Sequence, residues 1–209
     1  MTAPADQPAN LRRNWRSTAM WTAGIVLALS LIWFVGVAPY ISGRVEKDDR
    51  PSFRIDPVQP FRLEIGRGSG WHGLDTIVID QSGRAVLHRM KEERKENAIV
   101  QSWETATLQL PPDAVAEVLK AIETNDLMDL HRAYHANVHD GAQWVFWIKQ
   151  GNREKSVYFN NSFPRPITRF AEQLDGVLAR AGLDKVAWQP VPAGESRNHE
   201  RELWDSIKR

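Results

Sequence analysis

The sequence predicts an α+β protein: a single N-terminal transmembrane helix, then a mainly antiparallel sheet with two helices packed on one face. Three observations predict it. Residues 17–43 form one long run without a charged side chain. Short β-branched or alternating runs recur later between glycine, proline and charged turns. Two further stretches repeat apolar residues at i, i+3, i+4 and i+7, the spacing of one helix face.

Residues 1–17 are polar, contain Pro4 and Pro8, and end in Arg12, Arg13 and Arg16. They read as a short cytoplasmic tail. The transmembrane helix is placed at 18–41. Its apolar part, 19–40, reaches roughly 33 Å at 1.5 Å per residue, enough for a hydrocarbon core about 30 Å thick. Trp21 near one end and Trp33 and Tyr40 toward the other suit the headgroup level, and Gly24 with Ala28 forms a small-xxx-small pair that can pack against another helix. The run is too long for a secretory signal, whose nearest cleavage site is Gly36-Val37-Ala38. It is read as an uncleaved anchor. The arginines lie closest to the membrane on the N-terminal side, so the N-terminus is expected in the cytoplasm of a bacterial cell and the domain in the periplasm or outside.

Residues 42–60 are charged and punctuated by Pro51 and Pro57, the composition of a spacer. The domain is placed at 61–183. Strands are predicted at 61–65, 74–80, 84–90 and 98–110, the last with alternating Ala106, Leu108 and Leu110. Pro111-Pro112-Asp113 then opens a helix with the stripe Val115, Val118, Leu119 and Ile122. A loop at 131–141 leads to strands at 143–148 and 155–160. Pro166 opens a second helix with the stripe Ile167, Phe170, Leu174, Val177 and Leu178, stopped by Gly182. Residues 184–209 read as an extension with a short amphipathic helix bearing Leu203, Trp204 and Ile207, marginal unless it docks on the domain, the membrane or a partner.

Composition excludes several classes of function. With 27 basic and 26 acidic residues the net charge is +1, so no general field attracts a nucleic acid. The absence of cysteine excludes disulfides, thiolate metal sites and cysteine nucleophiles. Nine tryptophans are many for a chain of this size and point to a contact surface.

Two motifs could carry chemistry. Gly68, Gly70, Trp71 and Gly73 stand in a G-x-G-x-x-G pattern, but a strand follows where a dinucleotide loop would open a helix. The motif therefore reads as a bend presenting Trp71 for partner contact, with Trp204 as a second contact residue. His131, His135 and His139 are spaced by four residues with Asp140 adjacent, so on a helix they would form a candidate zinc site. No glutamate completes an HExxH pattern, and no G-x-S-x-G or Ser-x-x-Lys frame points to a nucleophile. No catalytic residue and no cofactor is assigned.

The order of a strand, the GSGWHG loop, a strand, the turn from Asp80 to Gly83, a leucine-striped helix, the Asp140-Gly141 strand pair and a closing helix resembles the small domain of emfourin-type metallopeptidase inhibitors. The resemblance covers residues 61–182 and implies an inhibitory domain. It carries over no inhibitory residue, and the anchor, the long fourth strand and the C-terminal extension depart from the pattern. The sequence is thus expected to encode a membrane-anchored, non-enzymatic binding or scaffolding protein, an accessory subunit with a protein partner at the membrane. A tethered peptidase inhibitor and a metal-binding enzyme or sensor using the histidine loop are the alternatives.

Overall fold

Side chains alternate along a strand, so every strand of a sheet has two faces to satisfy, and here both are covered over much of the sheet. The computed structural model describes residues 43–208 apart from 70, 71, 96, 97, 139, 140 and 196. The expected transmembrane helix at 18–41 lies outside the described residues. Among those that are described, no helix is long and apolar enough to cross a membrane.

The described residues form an α+β unit of nine strands and three α-helices. In chain order these are β1 (Arg44–Glu46), β2 (Phe61–Ser69), β3 (Gly73–Asp80), β4 (Arg84–Lys95), β5 (Ala98–Gln109), α1 (Pro112–Thr124), β6 (Ala133–His135), β7 (Ala142–Gln150), β8 (Arg153–Asn160), α2 (Arg165–Arg180), β9 (Gln189–Pro190) and α3 (Arg201–Lys208). The sheet order is β1-β6-β8-β7-β2-β3-β4-β5-β9, and only the β6–β8 pair is parallel. Central β2 pairs along its whole length with β7 and from Arg62 onward with β3.

On one face Leu63, Ile65, Ile77, Ile79, Phe146, Ile148, Val157 and Phe159 meet the buried stripes of α1 and α2 in one core cluster. Phe146 and Phe170 touch edge to face with ring centres 6.0 Å apart. On the other face Val145 and Trp147, which alternate with Phe146 and Ile148, join Leu74 and Leu203 of α3 in a second, smaller cluster. Amphipathic stripes drive α1 and α2 onto the sheet. Helix α3, mostly polar, is held by a few seated side chains.

The segment 43–60, expected to be a spacer, packs on the domain. Its first residues form strand β1 on the sheet edge, and Ile55 is buried in the main core with Phe53 packed against it. Lys155, almost fully buried, donates to the Asp48 carboxylate at 2.9 Å and to the Leu130 carbonyl. Burial works against the Asp48 charge, but hydrogen bonds from Arg50 and Lys155 together outweigh it and hold the carboxyl down at about 2. The Gln150 side chain accepts the Asp56 N–H and donates to its carbonyl. Isolated apolar residues between prolines make no periodic pattern, so this docking is invisible to a window of sequence.

Phe170→Ala removes a fully buried ring from the main core, and by the usual cost of such a cavity should destabilise the domain by about 3–5 kcal/mol. Urea unfolding of the full chain in detergent measures this, and a loss below about 1 kcal/mol would contradict the assigned packing.

Candidate functional site

The concentration of buried ionisable groups is greatest on the second face of the sheet, beneath the C-terminal segment. Glu64 on β2, Thr76 on β3, Ser156 on β8, and Glu200 and Ser206 of the segment are all essentially inaccessible. Two glycines make the seat. A Cβ at Gly66 would stand 2.5 Å from a Leu203 methyl, and one at Gly73, where φ is +90°, would meet the Trp103 ring at 2.9 Å and Glu200 Oε1 at 2.7 Å. The segment therefore fits only because two strand positions lack side chains.

Strand β4 pairs with β3 only as far as Thr76↔His88 and then runs on beyond it. Two bonds close that fork. Asp75 Oδ1 accepts the Met90 N–H at 2.8 Å, and His199 Nε2–H donates to the Leu74 carbonyl at 3.1 Å. That bond fixes the proton of neutral His199 on Nε2, leaving Nδ1 as a buried acceptor with no partner among the described residues. The His199 ring stacks on His88 with centres 4.4 Å apart and planes 8° from parallel, and it tilts against Trp103 at 4.5 Å. Burial and the neighbouring His199 press His88 down to about 4. Burial also lowers His199, against the opposing pull of the Leu74 carbonyl, Glu200 and Asp75.

Glu200 is neutralised by Arg197 at 2.6 Å and by the Trp204 Nε1–H at 2.7 Å. Glu64 behaves differently. Its Oε2 accepts from Arg62 at 3.1 Å while Oε1 has no partner among the described residues, and burial outweighs the arginine to push the carboxyl up to about 7. Arg62 also pairs with Glu202 of α3 at 2.9 Å, tying that helix to the sheet. Ser156 Oγ–H donates to the Ser206 carbonyl at 3.0 Å, and Arg132 donates to that of Ile207 at 3.1 Å.

Two neutral imidazoles and a buried carboxyl are the materials of acid–base catalysis. Here Glu64 is taken up by Arg62, His88 by Thr76 and the His199 ring, and His199 by the Leu74 carbonyl. The cleft of about 810 Å³ beside α1 is lined instead by Ile55, Leu119, Lys120, Arg153 and the Arg54–Glu123 pair, and it includes none of these groups.

Gly68 and Gly73 of the glycine motif belong to the β2–β3 hairpin, where Gly68 pairs with Leu74 and Ser69 with Gly73. This is a turn between antiparallel strands, with no helix N-terminus to receive a phosphate. Gly70 and Trp71 lie outside the described residues. Trp204, half-buried, packs against Tyr158 at 6.1 Å and bonds Glu200. His131 precedes β6 and His135 ends it, so they do not share a helical face. His131 lies against Tyr134, and His135 stands edge-on to Tyr158, 3.7 Å from Glu46. His139 and Asp140 lie outside the described residues, as do Trp21, Gly24, Ala28, Trp33 and Tyr40. Among the described residues no three histidine or carboxylate side chains gather around a possible ion.

No family model matches the chain, and no curated protein matches its sequence.

Among the described residues, the outer part of the β4–β5 hairpin, beyond His88, has no strand beside it on the β3 side, and β9 covers β5 only at Thr105 and Glu104. Ile99 is 66% and Val100 42% exposed on this arm. Its root is braced by Arg89 and Lys91 on Glu104, at 2.8 and 3.3 Å, and by Arg89 stacking over Trp188 at 3.9 Å. Gln101 bonds both His72 of the β2–β3 turn, at 2.9 Å, and Glu92.

The opposed shifts give a signature in stability. Glu64, raised by folding, costs stability as pH rises from about 4.5 through about 7. His88, depressed by folding, costs stability as pH falls from about 6.5 through about 4. The two losses nearly offset in the parent chain. Glu64→Gln should therefore lose melting temperature steadily on acidification below about pH 6.5, and His88→Gln on alkalisation above about pH 4.5. Thermal melts from pH 4 to 8 check this, and parallel profiles for the parent and both variants would refute the assignment.

Proposed function

We propose that this chain is a membrane-anchored, non-enzymatic binding protein of the bacterial cell membrane, with its domain on the periplasmic or outer side, serving as an accessory subunit of a larger membrane complex. Its contact surface is the β4–β5 arm together with the adjoining β2–β3 turn. The observation that carries this reading is the exposed pair Ile99 and Val100 on a hairpin that, among the described residues, is flanked by no other strand over its outer part. Natural sheets blunt such edges with charge or cover them, and an apolar pair left on one suits a partner strand or a shallow apolar groove.

The anchor rests on the uncharged run at 17–43, which the aromatic residues Trp21, Trp33 and Tyr40 punctuate. A binding role in place of catalysis is supported by the second face of the sheet, where the most perturbed ionisable groups are spent on holding the C-terminal segment.

Affinity isolation of the tagged full chain from membranes in mild detergent tests the proposal. The parent chain should recover a protein partner in fixed stoichiometry. Ile99→Asp with Val100→Asp should weaken that recovery about tenfold or more while leaving the thermal melt unchanged. A parent chain that recovers no partner, or a variant that recovers it undiminished, would overturn the proposed surface.

A further inference from the structure

A sheet ends in edges whose backbone N–H and C=O groups can pair with any strand that meets them, and natural proteins blunt such edges. Among the described residues this sheet blunts all but one. At one end β1 is three residues long, and two of them, Arg44 and Glu46, are charged. At the other end β9 is two residues long, and its outward-facing member is Pro190, which has no N–H to offer. The outer part of β4, freed from β3 beyond His88, carries Lys91, Glu92, Glu93 and Arg94 in succession, all exposed. The outer part of β5 has no such device. Ile99, Val100, Gln101 and Ser102 are uncharged and exposed, with no proline among them.

The direction of the free backbone follows from bonds the chain itself makes. The Val191 N–H donates to the Trp103 carbonyl on the β9 side. Backbone groups alternate between the two sides of a strand, so those of Gln101 and Ile99 point the same way as Trp103, and those of Ser102 and Val100 turn inward to β4. Met90, opposite Trp103, has the matching phase: its N–H points away from β5, to Asp75. The chain's own strand goes no further along this edge, because residues Ala193–Glu195 turn into a short 3-10 helix. The N–H and C=O groups of Ile99 and Gln101 are left in line with β9, without a partner among the described residues.

The side chains distinguish a strand from a groove as the occupant. Ile99 and Val100 are neighbours on one strand and so stand on its opposite faces. A groove laid against the arm would cover one of them. A strand added at the edge meets both, one with each of two successive side chains.

We propose that the partner adds a strand to the outer edge of β5: an extended, uncharged segment with apolar side chains on both faces, bonded through its backbone to Ile99 and Gln101 in line with β9. The pairing presupposes that the arm is the contact surface and is the form that contact takes.

The partner recovered with the tagged full chain in mild detergent is the probe. Gln101→Pro removes one outward N–H while breaking no bond to β4, and Gln101→Ala removes the same side chain while keeping that N–H. Recovery by Gln101→Pro should fall about tenfold below recovery by Gln101→Ala, with the two thermal melts alike. Hydrogen exchange on the parent chain, free and in the complex, answers without a substitution. The amides of Ile99 and Gln101 should slow at least about tenfold in the complex, while those of Glu92 and Arg94 on the opposite edge keep their rates. Equal recovery by the two Gln101 variants, or no slowing at Ile99 and Gln101, overturns the strand pairing; if Ile99→Asp with Val100→Asp still weakens recovery, the contact surface stands without it. Slowing at Glu92 and Arg94 in place of Ile99 and Gln101, or a recovered partner that is only a second copy of this chain, also overturns the proposal. A parent chain that recovers no partner removes the surface and the pairing together.

Discussion

The constraint on which the rest of the domain depends is the burial of both faces of its central strands. A strand such as β7 sends Phe146 and Ile148 to one side and Val145 and Trp147 to the other, all nearly inaccessible. One layer of helices cannot cover both. Helices α1 and α2 cover the first face with ordinary apolar stripes, and the second is closed by the chain's own C-terminus. That second closure is polar where the first is greasy, because the sheet positions that point there include Glu64, Thr76, His88 and Ser156.

A polar closure has different physics from an apolar one. Each buried polar group must find a partner or cost stability, and here most do: Thr76 with His88, Ser156 with Ser206, Glu200 with Arg197 and Trp204. Among the described residues, Glu64 Oε1 and His199 Nδ1 find none. The seam is specific in its geometry, since Gly66 and Gly73 leave room for the segment and Arg62 pairs with Glu202 across it. Perturbed ionisable groups often mark an active site; in this domain they mark the place where the tail is held.

Much of the fold was legible in the sequence, for identifiable reasons. Strands β2 to β5, β7 and β8 carry their own alternation or apolar runs, and α1 and α2 carry stripes and proline starts, so each declares itself within a short window. Strands β1, β6 and β9 are two or three residues long and exist only through their neighbours, which leaves no local trace. The docking of 43–60 escaped notice because Ile55 stands alone among prolines and charges. The seat of α3 escaped because its buried side chains, Glu200, Leu203 and Ser206, are mixed in polarity. The one available signal was Gly66, a glycine in the interior of an apolar strand, which marks a close approach by another part of the chain. The histidine spacing suggested a metal site because a four-residue repeat implies a helix, whereas His135 ends a strand and His131 lies outside any helix.

The claim that the second face is closed by the C-terminal segment is tested most directly by hydrogen exchange on the full chain, followed at the amides of residues 200–207. Protection of these amides well above that of a free helical peptide, lost in Gly66→Val while those of β2, β7 and β8 stay protected, is the predicted result. Free exchange of residues 200–207 in the parent chain would show that the tail does not dock, and the account of the second face would fall with it.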